Sequence, residues 1–288
     1  MSSKEIETLL VRAEHVLARL EAILPGSASP PDWNAADAFL WRRRHGRACL
    51  QPVPMPSVIR LRDLRNIDEQ KARIERNTRQ FLAGRHANNV LLTGARGSGK
   101  SSLVKALLNE YAGEGLRVIE IDKADLGDLP EVMELVAGRL ERFILFCDDL
   151  SFEEGEIAYK ALKSALDGSV SGLADNVLIY ATSNRRHLMP EYHDENRQAR
   201  HADGEIHPAE AVEEKISLSE RFGLWLSFYP FGQDEYLEIA AHWLKVFGVS
   251  EAYLPQARQE ALQWALMRGS RSGRVAWQFA RDFAGRAD

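Results

Sequence analysis

The sequence predicts an α/β fold: a doubly wound parallel five-stranded sheet carrying a C-terminal helical lid, with an N-terminal helical extension before it. Three observations carry this expectation. Short continuous apolar runs alternate with segments of helical period, the pattern of strands buried on both faces of a parallel sheet. A glycine-rich stretch, Gly94-Ala-Arg-Gly-Ser-Gly-Lys100-Ser101, lies between the apolar run Val90-Leu-Leu-Thr93 and the helical pattern Leu103 to Leu108. Beyond Pro230 the strand-like runs stop, and three segments of helical period follow.

From about Ser3 to Leu24, Ile6, Leu9, Leu10, Ala13, Val16, Leu17, Leu20 and Leu24 share one helical face, which Pro25-Gly26 ends. That face is expected to dock on the chain's own core or, alternatively, on a partner or second copy. Residues 27–56 hold five of the eleven prolines with Trp33 and Trp41, and read as an ordered linker with a short helix around Ala35 to Arg43. A helical pattern through Ile74, Phe81 and Leu82 leads to the first strand at Val90. Arg117 to Asp122 reads as the second strand, and Asp128 to Leu140 as a helix with Val132, Leu135, Val136 and Leu140 inward. Arg142 to Cys147 is the third strand, Glu154 to Asp167 a helix, and Asn176 to Thr182 the fourth strand. Arg185 to Glu214 is polar and reads as a long surface loop with short helices at most; the spacing of His187, His193, His201 and His207 fits no compact metal-ligand pattern. Leu224 to Tyr229 is the fifth strand, and Gln233 to Phe247, Pro255 to Met267 and Arg274 to Phe283 are helices. The implied domains are 1–57 (extension and linker), 58–231 (sheet domain) and 232–288 (helical lid), with a hinge near Pro230 to Gln233.

The net charge of -5 argues against a globally basic nucleic-acid binder, although Trp41-Arg-Arg-Arg-His45 is a small basic patch. No run of eighteen apolar residues exists and the first residues are polar, so neither a membrane span nor a secretory signal is expected, and a cytoplasmic protein is. Cys49 and Cys147 are too few for a disulfide framework or a zinc site, and Cys147, inside an apolar run, reads as a small buried hydrophobe.

The glycine-rich stretch matches G-x-x-x-x-G-K-[ST] between a strand and a helix, the context a phosphate-binding P-loop requires. Gly94, Gly97 and Gly99 allow positive φ and close backbone approach, so that the N–H groups of the loop, with Ala95, Arg96, Ser98 and Ser102, form an anion nest at a helix N-terminus. Lys100 supplies a cation for the β- and γ-phosphates and Ser101 a hydroxyl for Mg²⁺. Asp148 and Asp149 arrive at the C-terminal end of the third strand, the edge at which open α/β sheets bind ligands. Asp148 suits the Mg²⁺ side and Asp149 the orientation of attacking water; the alternative is a helix cap, since Ser151 and Glu153 to Glu156 begin a helix. The fourth strand delivers Ser183 and Asn184 to the same edge.

Over about Ile59 to Phe283 these residues resemble the AAA+ ATPase superfamily, with Gly94 to Ser101 and Asp148-Asp149 resembling Walker A and Walker B. The resemblance implies that Asn184 is sensor 1 and that Arg221 is an arginine finger acting on a neighbouring subunit's nucleotide. It also implies that Gly269-Ser-Arg-Ser-Gly-Arg274 carries sensor 2, with Arg274 the first choice and Arg271 the second, and that Leu61 to Gln70 flanks adenine. For each arginine a surface ion pair is the alternative. Cys147-Asp-Asp-Leu-Ser-Phe-Glu and Glu213-Glu-Lys-Ile-Ser-Leu-Ser-Glu-Arg-Phe-Gly further resemble a prokaryotic AAA+ branch without an assigned role. Asp-Asp in place of Asp-Glu shortens the reach of Asp149 by a methylene, so that hydrolysis is slow or Glu153 or Glu154 assists. What the resemblance implies is an ATPase using ATP and Mg²⁺ in a homo-oligomer that acts on an unknown protein or nucleic-acid target, with Lys100, Asp149, Asn184 and Arg221 catalytic. The alternatives are an ATP-dependent switch or nucleic-acid adaptor using Arg42 to Arg44, and a small-molecule P-loop kinase.

Overall fold

The computed structural model describes residues 12–17, 19, 31–44, 47–54, 58–152, 156–167, 175–185, 188, 201–202, 205–206 and 218–286. The main body holds the strands β1 (Ala38–Arg44), β2 (Arg47–Val53), β3 (Val90–Gly94), β4 (Leu116–Glu120), β5 (Arg142–Cys147), β6 (Val177–Ser183) and β9 (Leu224–Phe228); the short strands β7 (His201–Ala202) and β8 (Glu205–Ile206) pair with each other. The first seven form one sheet in the order β2-β1-β4-β5-β6-β3-β9. Every neighbouring pair in it is parallel except β1 with β2. The helices are α1 (Asp68–Leu82), α2 (Lys100–Tyr111), α3 (Leu129–Val136), α4 (Ile157–Asp167), α5 (Gln233–Val246), α6 (Leu254–Arg268) and α7 (Gly273–Arg286). The predicted five parallel strands are β3, β4, β5, β6 and β9; the sheet is larger than expected by the hairpin β1–β2.

That hairpin corrects the reading of residues 27–56 as a linker with a helix around Ala35 to Arg43. Phe39 and Trp41 are each 1% exposed while Leu40 is half-buried and Arg42 faces solvent, which is period two rather than 3.6, and Arg43 reaches Asp128 from the Phe39–Trp41 face. Ala38 to Leu40 pair with Val118 to Glu120 of β4, and Pro52 is tolerated because β2 is the outer strand. Trp41 Nε1 donates to Asp128 Oδ2 at 2.9 Å and the Arg43 guanidinium pairs with the same carboxylate, anchoring the hairpin to the turn before α3.

The sheet separates two apolar layers. On one side Phe143, Leu145, Ile179 and Ala181 pack with the hairpin aromatics and α3 and α4; on the other, Val90, Leu92, Ile144 and Tyr180 pack under α1 and α2. Cys147 is fully buried and its thiol is pushed up to about 12 by that burial, as expected for a residue acting as a hydrophobe. Helices α5, α6 and α7 enclose a third core around Tyr236, Ala261 and Phe279.

Three further expectations change. The helix predicted to reach Leu140 ends at Val136, where Gly138 at φ +73° turns the chain, and Leu140 is 98% exposed rather than inward. Of the predicted N-terminal face, Val16 and Leu17 are 55% and 57% exposed instead of docked on the core; Ile6, Leu9, Leu10, Leu20 and Leu24 lie outside the described residues. Within 185–214, β7 and β8 pair antiparallel where short helices at most were expected, and most of that stretch, like Glu153 and Glu154, lies outside the described residues. Among the described residues no helix is long and apolar enough to cross a membrane.

Candidate functional site

The site stands at the C-terminal edge of the sheet, where β3, β5 and β6 end. Gly94 closes β3 at φ +124°, and a Cβ there would come within 1.9 Å of the Phe228 carbonyl oxygen, so the loop begins against β9 through a position only glycine fits. Gly97 and Gly99 also have positive φ, and Gly99 leads directly into α2, which opens at Lys100.

Lys100 is folded back into its own loop. Its Nζ donates to the carbonyls of Gly94 and Ala95 at 2.8 Å each and to Asn184 Oδ1 at 3.0 Å. Burial pulls the ammonium down to about 8, Asp149 and Asp148 oppose that fall, and Arg274 and Arg96 add to it. A buried cation between two arginines and two carboxylates is a group that an anion would stabilise.

Asp148 and Asp149 follow β5 immediately. Asp148 Oδ1 accepts the Ser101 and Thr182 hydroxyls, both at 2.6 Å. Asp149 is exposed, takes the left-handed conformation at φ +53°, and accepts a hydrogen bond from the Asn184 amide. The structure therefore brings together Lys100, Ser101, Asp148, Asp149 and Asn184. Ser183 points away: it is fully buried and its hydroxyl donates to the Leu150 carbonyl at 2.7 Å. Ser101 and Asp148 offer hard oxygen ligands in the number expected for Mg²⁺, which completes its shell with water and substrate phosphates; no cluster of three or more metal-binding side chains occurs among the described residues.

These groups open into a cavity of ≈ 1220 Å³ whose opposite wall is made by the helical unit. Arg274 of α7 lines it, whereas Arg271 lines a neighbouring cavity of ≈ 750 Å³ with Arg96 and Ser98. The two units touch at the loop itself: Gly273 N–H donates to the Gly97 carbonyl at 2.9 Å, and a Cβ on Gly97 would meet Ser272 Oγ at 2.8 Å. Ile59, Leu64 and Ile67 also line the cavity, Leu64 and Ile67 standing beside Gly99 of the loop, and the helical unit contributes Trp243, Phe247 and Trp277. Asp63 bridges this wall, its carboxylate accepting from His242 Nε2 at 3.2 Å. Arg221 lies away from these groups and pairs with Asp167 at the end of α4.

Sequence reasoning missed three contributors. Thr182 has the signal of a polar residue ending an apolar strand, but only the sheet register sets it beside Asp148. Ser272 and Gly273 lie inside the stretch that resembles sensor 2, where Arg271 and Arg274 are the candidates that the sequence offers. The aromatic wall on α5 and α7 resembles ordinary helical core, and only the fold opens it to the cavity.

Residues 34–287 match the family model described as "Protein of unknown function (DUF815)". No curated protein sequence matches the chain. Among solved structures, a point variant of RuvB from Thermotoga maritima aligns at 15% identity and TM-score 0.47 over 75% of this chain and 60% of its own. An Escherichia coli MS115-1 HORMA:CdnC:Trip13 complex contributes a chain at 12% identity and TM-score 0.46, over 77% of this chain and 89% of its own. The chain thus spans about 60% of the RuvB length.

Proposed function

The chain belongs to the DUF815 family, and we propose that it is a relative of the AAA+ P-loop ATPases that binds Mg²⁺–ATP at the end of β3 and hydrolyses it. One observation carries the reading: Lys100, Ser101, Asp148, Asp149 and Asn184, drawn from a helix N-terminus and the ends of two strands, converge on one cavity beside a glycine loop with positive φ. Lys100 would exchange its carbonyl partners for the β- and γ-phosphates, and the loop N–H groups with the α2 N-terminus would take the remaining charge. Mg²⁺, where bound, supplies charge neutralisation between the terminal phosphates, held on the protein side by Ser101 with Asp148 behind it. Asp149 and Asn184 would hold the water that attacks, and Arg274 would answer the γ-phosphate from the helical unit. The apolar and aromatic walls fit a base stacked between Ile59 and Trp243 or Trp277.

Release of the γ-phosphate removes what Arg274 holds, so turnover would be felt at the Gly97–Gly273 junction and moved into α7. A homo-oligomer in which Arg221 completes a neighbour's site, acting on a macromolecule, is the form of the reading that goes furthest. It requires Arg221 to leave Asp167. An ATP-dependent switch with little hydrolysis is the second reading, favoured by the hydrogen bond that occupies Asp149 with Asn184.

The test is calorimetric titration of Mg²⁺–ATP into the parent chain and into Lys100→Ala. The parent binds and the variant loses binding while its thermal melt stays within about 3 °C. Equal affinity in the two proteins would remove the P-loop reading.

A further inference from the structure

Thr182, the penultimate residue of β6, is a buried hydroxyl, 1% exposed, that follows the apolar run Val177 to Ala181. A buried hydroxyl has one proton to give, and its place is defined by where that proton goes. Here Thr182 Oγ1 donates to Asp148 Oδ1 at 2.6 Å and accepts the backbone N–H of Asp149 at 2.8 Å. Its own carbonyl accepts the Leu150 N–H at 2.7 Å. One residue of β6 thus fastens three successive residues after β5.

What is fastened is unusual. Asp149 is one of two described non-glycine residues with positive φ, at +53°, a conformation that persists only where the surroundings over-determine it. The Thr182 hydroxyl supplies the partner for the N–H that this conformation turns inward. With the backbone so held, the Asp149 side chain faces Asn184 and the cavity. On the other side, Ser101 and Thr182 share Asp148 Oδ1, and Ser101 is the hydroxyl assigned to Mg²⁺, so Thr182 is the donor left to keep Asp148 oriented.

Resting on the hydrolytic reading above, we propose that Thr182 is a positioning residue for both acidic groups: it orients Asp148 toward the metal and sets the backbone of Asp149 so that its carboxylate reaches water. Thr182 lines the same cavity but is 1% exposed, and its hydroxyl is taken up by Asp148 and the Asp149 N–H, so it acts through those two groups. Valine at this position keeps the shape and removes both hydrogen bonds, whereas serine keeps both and removes a methyl.

Thr182→Val and Thr182→Ser are compared with the parent in two measurements. The first is equilibrium binding of a fluorescent ATP analogue against Mg²⁺ concentration; the second is steady-state phosphate release. Thr182→Val shifts the Mg²⁺ midpoint of binding upward by about tenfold and lowers kcat by about 10–100-fold, with KM within about threefold, and Thr182→Ser restores both to near the parent values. A parent Mg²⁺ midpoint and parent kcat in Thr182→Val overturn the proposal, as does failure of serine to restore either. If the valine chain does not fold, Thr182→Ala takes its place, since it removes the hydroxyl without setting a second methyl beside Asp148. A parent chain that binds ATP with Mg²⁺ yet releases no phosphate would end the hydrolytic reading alone, and the Mg²⁺ midpoint would still decide whether Thr182 orients Asp148.

Discussion

Asp128 and Asp148 flank the same sheet, and each is gripped by side chains from other elements, but the grips differ in kind. Asp128 is 9% exposed and takes the Arg43 guanidinium on both oxygens with the Trp41 indole N–H. Asp148 is partly exposed and, among the described residues, accepts from hydroxyls at Ser101 and Thr182. The first carboxylate has its countercharge inside the chain. The second has been oriented without being neutralised, in the wall of a large cavity and within the field of a buried lysine. A carboxylate of the first kind holds a fold together, and one of the second kind is ready for a cation from outside.

Arg221 offers the sharpest way to break that distinction, because with Asp167 it resembles the Arg43–Asp128 pair. If it is instead an arginine finger for a neighbour, Arg221→Ala binds ATP almost normally but hydrolyses it about 10³-fold more slowly, and mixing it with Lys100→Ala restores part of the activity. Phosphate release at several protein concentrations, with light scattering for size, reads this. Turnover independent of concentration, with no rescue on mixing, returns Arg221 to the role of Arg43.

Next in size is Asp148→Asn. Removing the charge while keeping the shape lowers turnover by about 100-fold and flattens the Mg²⁺ dependence of ATP binding, with little change in thermal stability. Asp128→Asn does the reverse. It costs about 1–2 kcal/mol in urea unfolding, the lower part of the range for hydrogen bonds to charge because the Arg43 side chain is 53% exposed, and leaves ATP affinity at the parent value.

The smallest effect is on pH dependence. The hydrogen bond from Arg43 holds the Asp128 carboxyl below its usual range. A depressed carboxyl contributes stability that is present above the unfolded value and lost as pH falls through the folded one. The urea midpoint of the parent therefore falls more steeply below the ordinary carboxylate range than that of Asp128→Asn. Parallel curves would mean that the pair contributes nothing measurable.

The same two regions explain what the sequence could and could not reveal. The phosphate loop is legible because its chemistry is local: Gly94 to Ser101 occupy consecutive positions, and the apolar run before them fixes their place at a strand end. Asp148 and Asp149 are legible for the same reason, following Phe143 to Cys147. The hairpin is not, because β1 is held by pairing with distant β4 and by Asp128, which anchors Trp41 and Arg43 from far along the chain. Without that partner the prolines and arginines of residues 27–56 read as linker. Thr182 escaped notice likewise, since the β5–β6 register, not its neighbours in sequence, sets it against Asp148. Leu140 was misread because helical periodicity was extended through Gly138, where the chain turns.

Hydrolysis rests most heavily on Asp149, whose carboxylate extends from a left-handed backbone with one methylene less than glutamate. The direct measurement is ATP binding and phosphate release on the same preparations of the parent chain and Asp149→Asn. The expected result is Mg²⁺–ATP affinities within about threefold of one another, turnover by the parent, and none above background in the variant. Equal rates in the two proteins, or a parent that releases no phosphate at any protein concentration, would contradict it.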